Sequence, residues 1–363
     1  MKYIFFLLFC LSTMLVQAYD CVVDGIYYNL NRTYRTSEVT YCKEIGGDYS
    51  GVVIIPSYIE YGGVKYNVTQ IGMRAFADSP RLEEVVMPNS VRCIGSYCFS
   101  GCTELKNISL SSRLKVLPQF CFESCKSLRR IDIPTHVDSL GYHCFLSCSG
   151  LSEIEIPQSV KHIGDGCFMN CTSLPVFDGI RYAGTCAVQV TDKNQVSYTM
   201  RKGTRFIHSY AFAKCTRLVS LDIPKSVCEI GVAAFSSCSS LREVKLSNRI
   251  SDLQNLVFAG CKNLKFVAVP KQVQSIGNMV FAGCSNLNEV TLPTTVKKIG
   301  EGAFMECASL SKIQCTAKNP PILKENAFAK VNIEKCTLVV AKGCVLSYQK
   351  SPDWQKFRNV QSL

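Results

Sequence analysis

The chain has 363 residues, 47 % hydrophobic and 19 % charged, with a formal net charge of +12. That apolar content supports a large ordered core, and the absence of low-complexity tracts and long charge runs excludes extensive disorder. The positive charge is dispersed, which argues against nucleic-acid binding through a dense basic stripe and fits attraction to acidic glycans or cell envelopes.

The first eighteen residues read as a secretory signal peptide. Lys2 supplies the charged start, Ile4 to Val16 the apolar stretch, and Val16-Gln17-Ala18 the small or aliphatic residues before a cleavage point. This run is shorter than the roughly 20 residues of a membrane-spanning helix, and no later segment is long enough. The expectation is an exported mature chain beginning at Tyr19, with no transmembrane segment. Residues 19–67 form an N-terminal lead-in or cap.

Phenylalanine then sets a period. Phe76, Phe99, Phe122, Phe145 and Phe168 are each 23 residues apart, as are Phe212, Phe235, Phe258, Phe281 and Phe304, and Phe328 follows after 24. Around these markers the pattern L-x-x-[IV]-x-[ILV]-P-x-x-V-x-x-I-G-x-x-[AC]-F-x-x-C recurs. Leu-x-x-Ile-x-Ile puts apolar residues on one face of a short strand. Proline has no N–H for a sheet ladder and ends that strand. Val-x-x-Ile-Gly predicts a second short extended piece, with the glycine at a bend. The Ala/Cys-Phe-x-x-Cys segment predicts a single helical or 3-10 turn. One unit cannot bury its own apolar side, whereas stacked units can. Residues 68–328 therefore predict a β-rich solenoid of about eleven turns, roughly 50 Å long at the usual strand spacing.

The array is interrupted. Phe168 and Phe212 are 44 residues apart, and an off-pattern module falls at about 172–205. Asp178 to Lys193 reads as an inserted hairpin, after which Tyr198, Met200, Thr204 and Ile207 recover the repeat slots. One continuous solenoid with a bulge or kink is expected. Residues 329–363 form a C-terminal cap.

These units resemble the BspA-type leucine-rich repeat family. So do the flanks: Asp24-Gly25-Ile26-Tyr27-Tyr28 and Tyr49 to Pro56 ahead of the array, and Asn319-Pro320-Pro321, Thr337 to Val340 and Tyr348 to Phe357 behind it. The resemblance implies a leucine-rich repeat solenoid, a secreted or cell-surface protein of a host-associated microbe, and adhesion-type binding. It implies no catalytic residues and no cofactor.

Of 22 cysteines, 21 would remain after cleavage at Ala18. Export favours disulfides, but Cys102, Cys125, Cys148, Cys171, Cys215, Cys238, Cys261, Cys284 and Cys307 share one repeat slot. A ladder of buried free thiols is the expectation there. Cys98, Cys121, Cys144 and Cys167 make a second, partial ladder. The C-x3-C spacing is not a standard zinc pattern. Cys21, Cys42, Cys315, Cys336 and Cys344 lie in the caps and are better disulfide candidates, Cys21 with Cys42 among them.

Catalytic constellations are weak. The four histidines are His136, His143, His162 and His208. His143 adjoins Cys144 but faces another way, and His208 takes the glycine slot, where an exposed turn position is expected. Glu153 and Glu155 share a strand face and fit a solvated surface better than a glycosidase pair. Binding is the favoured function, with an extracellular protein or glycan as partner. The alternatives are a polysaccharide-active secreted enzyme and a purely structural envelope protein. Two surfaces are candidates. One is the outward rows of the strands, containing Arg130, Asp132, Lys245 and the exposed aromatic Phe266. The other is the basic, aromatic-interleaved interruption with Arg201, Lys202 and Arg205.

Overall fold

The computed structural model of the protein describes residues 19–42 and 49–363. The expected signal peptide lies outside the described residues.

The chain coils through about thirteen turns, more than the eleven expected, because strands in both caps join the ladder. Gly51–Ile54 leads it, and Thr337–Val340 and Asn359–Ser362 close it. Each turn has three sides. The first is the Leu-x-x-Ile-x-Ile strand. These strands pair in parallel one repeat apart, so Arg130 opposes Glu153, Ile131 opposes Ile154 and Asp132 opposes Glu155. Alternation buries Ile131 and leaves Arg130 and Asp132 outside. The second side is the Val-x-x-Ile strand, also laddered in parallel, as at Val116–Leu117, Ser139–Leu140 and His162–Ile163.

The glycine ending this second strand serves close approach more than a bend. At Gly141 an added Cβ would sit 2.4 Å from the Gln119 amide nitrogen, and at Gly164 2.5 Å from that of Tyr142. Its N–H donates to the previous turn, Gly141 to Leu117 O and Gly164 to Leu140 O, both at 2.8 Å. A side chain there would push two turns apart.

The third side has alternating hydrogen bonds. Glu123 N and Cys125 N donate within the turn to Phe120 O and Phe122 O, the single-turn bonds expected. Phe120 N, Phe122 N and Ser124 N instead donate to Tyr142 O, Cys144 O and Leu146 O of the next turn. Left-handed backbone at Phe120 (φ 55°) and Ser124 (φ 59°) makes this possible, and the pair recurs one turn on at His143 and Ser147. The one α-helix among the described residues is Val345–Lys350, in the C-terminal cap.

The core is a set of ladders. Phe76 through Phe168 stack face to face, with Phe99, Phe122 and Phe145 spaced at 5.3 Å between centroids, and Phe212 through Phe328 repeat the stack. Trp354, Phe357 and Tyr348 cap the far end. All 21 described cysteines are free. The cap disulfides are thus corrected: Cys21 and Cys42 are buried and unbonded, as are Cys315 and Cys336, and Cys344 is half-buried. Cys315 opposes Leu292 and takes an apolar ladder slot.

Both ladders break at the interruption. The first ends at Glu153–Glu155 and resumes at Ser220–Asp222; the second passes from His162–Ile163 to a hairpin. Ile180–Ala183 and Cys186–Val190 form that hairpin, and its second strand pairs with Phe206–Ile207. Ala183, Cys186 and Val188 pack on the front core, while Ile180, Tyr182, Ala187 and Val190 pack on the back core. The hairpin is therefore a two-sided wedge between two arms. Behind it Val219 N donates to Val196 O at 3.0 Å, so Tyr198 and Met200 occupy buried ladder slots.

Candidate ligand-binding surface

The outward positions of the first-side strands form two long rows, broken by two depressions. The larger, about 910 Å³, is on the back arm and is lined by Asp222, Glu243, Lys245, Phe266, Ala268 and Lys271 among others.

The depression follows from side-chain size. Along its row stand Asp222, Lys245, Ala268 and Thr291 in successive turns, and Ala268 is the smallest of them. Its methyl group makes a floor beside the Phe266 ring, which is 46 % exposed. Lys245 and Lys271 have no ion-pair partner among the described residues, so the rim carries free charge next to an exposed aromatic.

The second depression, about 500 Å³, lies on the front arm where the wedge begins. It is lined by Arg130, Asp132, Glu153, Glu155, Tyr182 and Arg201, among others. Arg130 bridges Asp132 at 3.0 Å and Glu153 at 3.1 Å. Arg201 lies over the Tyr182 ring, 5.2 Å from its centroid, and its backbone N–H donates to the Tyr182 hydroxyl at 3.1 Å.

The expected site residues thus divide. Arg130, Asp132 and Arg201 meet at the front depression, and Lys245 and Phe266 at the back one. Lys202 is exposed and lines neither. Arg205 is a correction: it is buried, not part of a basic surface. Its guanidinium donates to Pro157 O at 2.9 Å, Gln158 O at 3.3 Å and Val160 O, tying the back arm to the front. Lys271 carries no signal in the sequence, whereas Tyr182 is one of the aromatics interleaved in the basic interruption and Ala268 lies in an outward row. Ala268 had a signal, as the smallest residue of its outward row.

The histidines sit at the joint. His162 meets Glu229 at 3.1 Å, and that hydrogen bond raises its pKa. His208 corrects the expectation of an exposed turn: it is buried, and burial lowers its pKa. Its backbone N–H donates to Ala187 O at 2.9 Å, as the glycine of other turns does. Asp165 accepts from the Ser209 hydroxyl beside it. Among the described residues, no group of three His, Cys, Asp or Glu is placed to hold a metal ion, and no helix is long and apolar enough to cross a membrane.

The BspA type leucine rich repeat region model matches six copies over residues 64–178 and 194–339, and the unmatched gap contains the whole wedge hairpin. No curated protein matches the chain. Among solved structures, a leucine-rich repeat protein from Bacteroides ovatus ATCC 8483 is 26 % identical, with 95 % of this chain and 100 % of that one covered and a TM-score of 0.46. A leucine rich cell surface protein from Faecalibacterium prausnitzii A2-165 is 26 % identical, with 81 % and 94 % covered and a TM-score of 0.39. The T. pallidum leucine rich repeat protein is 28 % identical, with 62 % and 91 % covered and a TM-score of 0.42. The repeat match spans most of the chain, and the chain belongs to the BspA-type leucine-rich repeat family.

Proposed function

We propose that the protein is an extracellular or cell-surface recognition protein that binds a protein or glycan through its strand face, without catalysis. The observation that carries this reading is the back-arm depression, where Phe266 stands exposed over Ala268 between the unpaired Lys245 and Lys271. An exposed aromatic beside a small-residue floor is the kind of anchor that concentrates binding energy. The signal-like residues 1–18 support export. The front depression is the second contact region, because Arg130 and Arg201 flank it.

The test is capture on arrays of matrix proteins and extracellular glycans. Phe266→Ser with Lys245→Glu is compared with Arg130→Glu with Arg201→Glu. A captured partner should bind at least about tenfold more weakly to one variant, a change of about 1.4 kcal/mol. Full binding by both variants, or turnover of an arrayed glycan, contradicts the proposal.

A further inference from the structure

A groove of about 750 Å³ opens on the front arm, at the corner where the third side turns into the strand face. Its walls carry Lys106, Lys126, Arg129 and Arg130, and no carboxylate lines it. The repeat dictates this placement. Cys125 and Leu128 are buried, so Lys126 and Arg129 beside them point outward, and Lys106 holds the Arg129 slot one turn earlier. The floor is low because its side chains are short: Ser127, Gly150, Ser152 and Ser173. Gly150 is fixed there by close approach, since a Cβ would lie 2.3 Å from Lys126 O.

The four cations are not equivalent. Lys106 is paired with Glu83 at 2.7 Å, and Arg130 with Asp132 and Glu153. Lys126 and Arg129 make no ion pair among the described residues. Two free cations over a floor of hydroxyls fit a polymer that offers both anions and hydroxyl groups. Single-stranded nucleic acid is disfavoured because no aromatic side chain lines the groove for base stacking. A flat membrane does not enter a concave corner. Lys262 and Lys265 occupy the slots of Lys126 and Arg129 on the back arm and are exposed, so the same corner carries a second cationic pair.

We propose that this corner groove binds a sulfated polysaccharide. Lys126 and Arg129 hold its sulfate groups, and the serine hydroxyls meet its sugar hydroxyls. This site is separate from the Phe266 depression, and its test does not depend on that one.

The experiment titrates a size-defined heparin fragment into the full chain by calorimetry, with melting curves for each variant. Lys126→Gln with Arg129→Gln should weaken binding at least about tenfold at unchanged melting temperature. Lys342→Gln with Lys350→Gln removes the same charge from exposed positions of the C-terminal cap and should leave affinity within about twofold. Lys126→Arg should retain binding. Equal losses in the two double variants would show a response to net charge alone and overturn the proposal. Desulfated heparin binding as tightly as heparin, or an oligodeoxynucleotide competing equally, would overturn it too.

Discussion

The Phe281 ring lies between those of Phe258 and Phe304, at centroid distances of 5.7 and 5.3 Å, with no solvent exposure. Truncation removes its burial and leaves a cavity shared by two neighbours. Phe281→Ala should cost about 3–5 kcal/mol, read by chemical denaturation. The cysteine ladder has a more specific role than filling space. Cys102, Cys148 and Cys284 each donate a thiol hydrogen bond to a phenylalanine carbonyl of the preceding turn, at 3.0, 3.0 and 3.2 Å. Burial pushes the Cys102 thiol up to about 12, so it stays protonated and inert. Among the described cysteines, native labelling with a thiol reagent should reach the exposed Cys93 and the half-buried Cys228 and Cys344, and all others only after unfolding. Protection that persists in denaturant without reductant would reveal disulfides. The Phe and Cys slots were legible because each recurs at a fixed interval. The glycine reads as a bend in the sequence because its cause is the distance to another turn, which a single repeat does not contain.

At the scale of elements, the joint is where sequence was least informative. A hairpin was legible at Asp178 to Lys193, but its packing against two cores depends on which residues alternate to each side. Arg205 looked like a surface cation because charge is the sequence signal and burial is not. Its three carbonyl partners are all on the other arm. Arg205→Ala should cost about 3 kcal/mol, from the loss of charged hydrogen bonds and the orphaning of buried carbonyls, and calorimetry should show the arms melting less cooperatively. The joint is also pH-sensitive in two opposed ways. His208, held neutral by burial, contributes stability that is full above its ordinary pKa of about 6.5 and is lost as pH falls below it. His162, raised by Glu229, contributes stability that is full below about 6.5 and is lost as pH rises through its folded value. Melting at pH 7.5 and pH 5 should therefore show His208→Gln losing less on acidification than the unaltered chain, and His162→Gln losing more.

At the scale of the whole molecule, the stacked turns provide a rigid frame on which outward residues vary freely. The solenoid was legible because its core repeats. The proposed binding surface was only partly so, because outward rows follow no period and a depression depends on one small residue beside larger ones. Phe266 stood out as the aromatic in a polar row, whereas Ala268 gained meaning only beside it. The central claim is that a partner covers this strand face. Hydroxyl-radical footprinting of the chain with and without a captured partner tests it most directly. Oxidation of Phe266 should fall several-fold in the complex while that of the exposed Tyr34 in the N-terminal cap is unchanged. Unchanged oxidation of Phe266 in a saturated complex would contradict it.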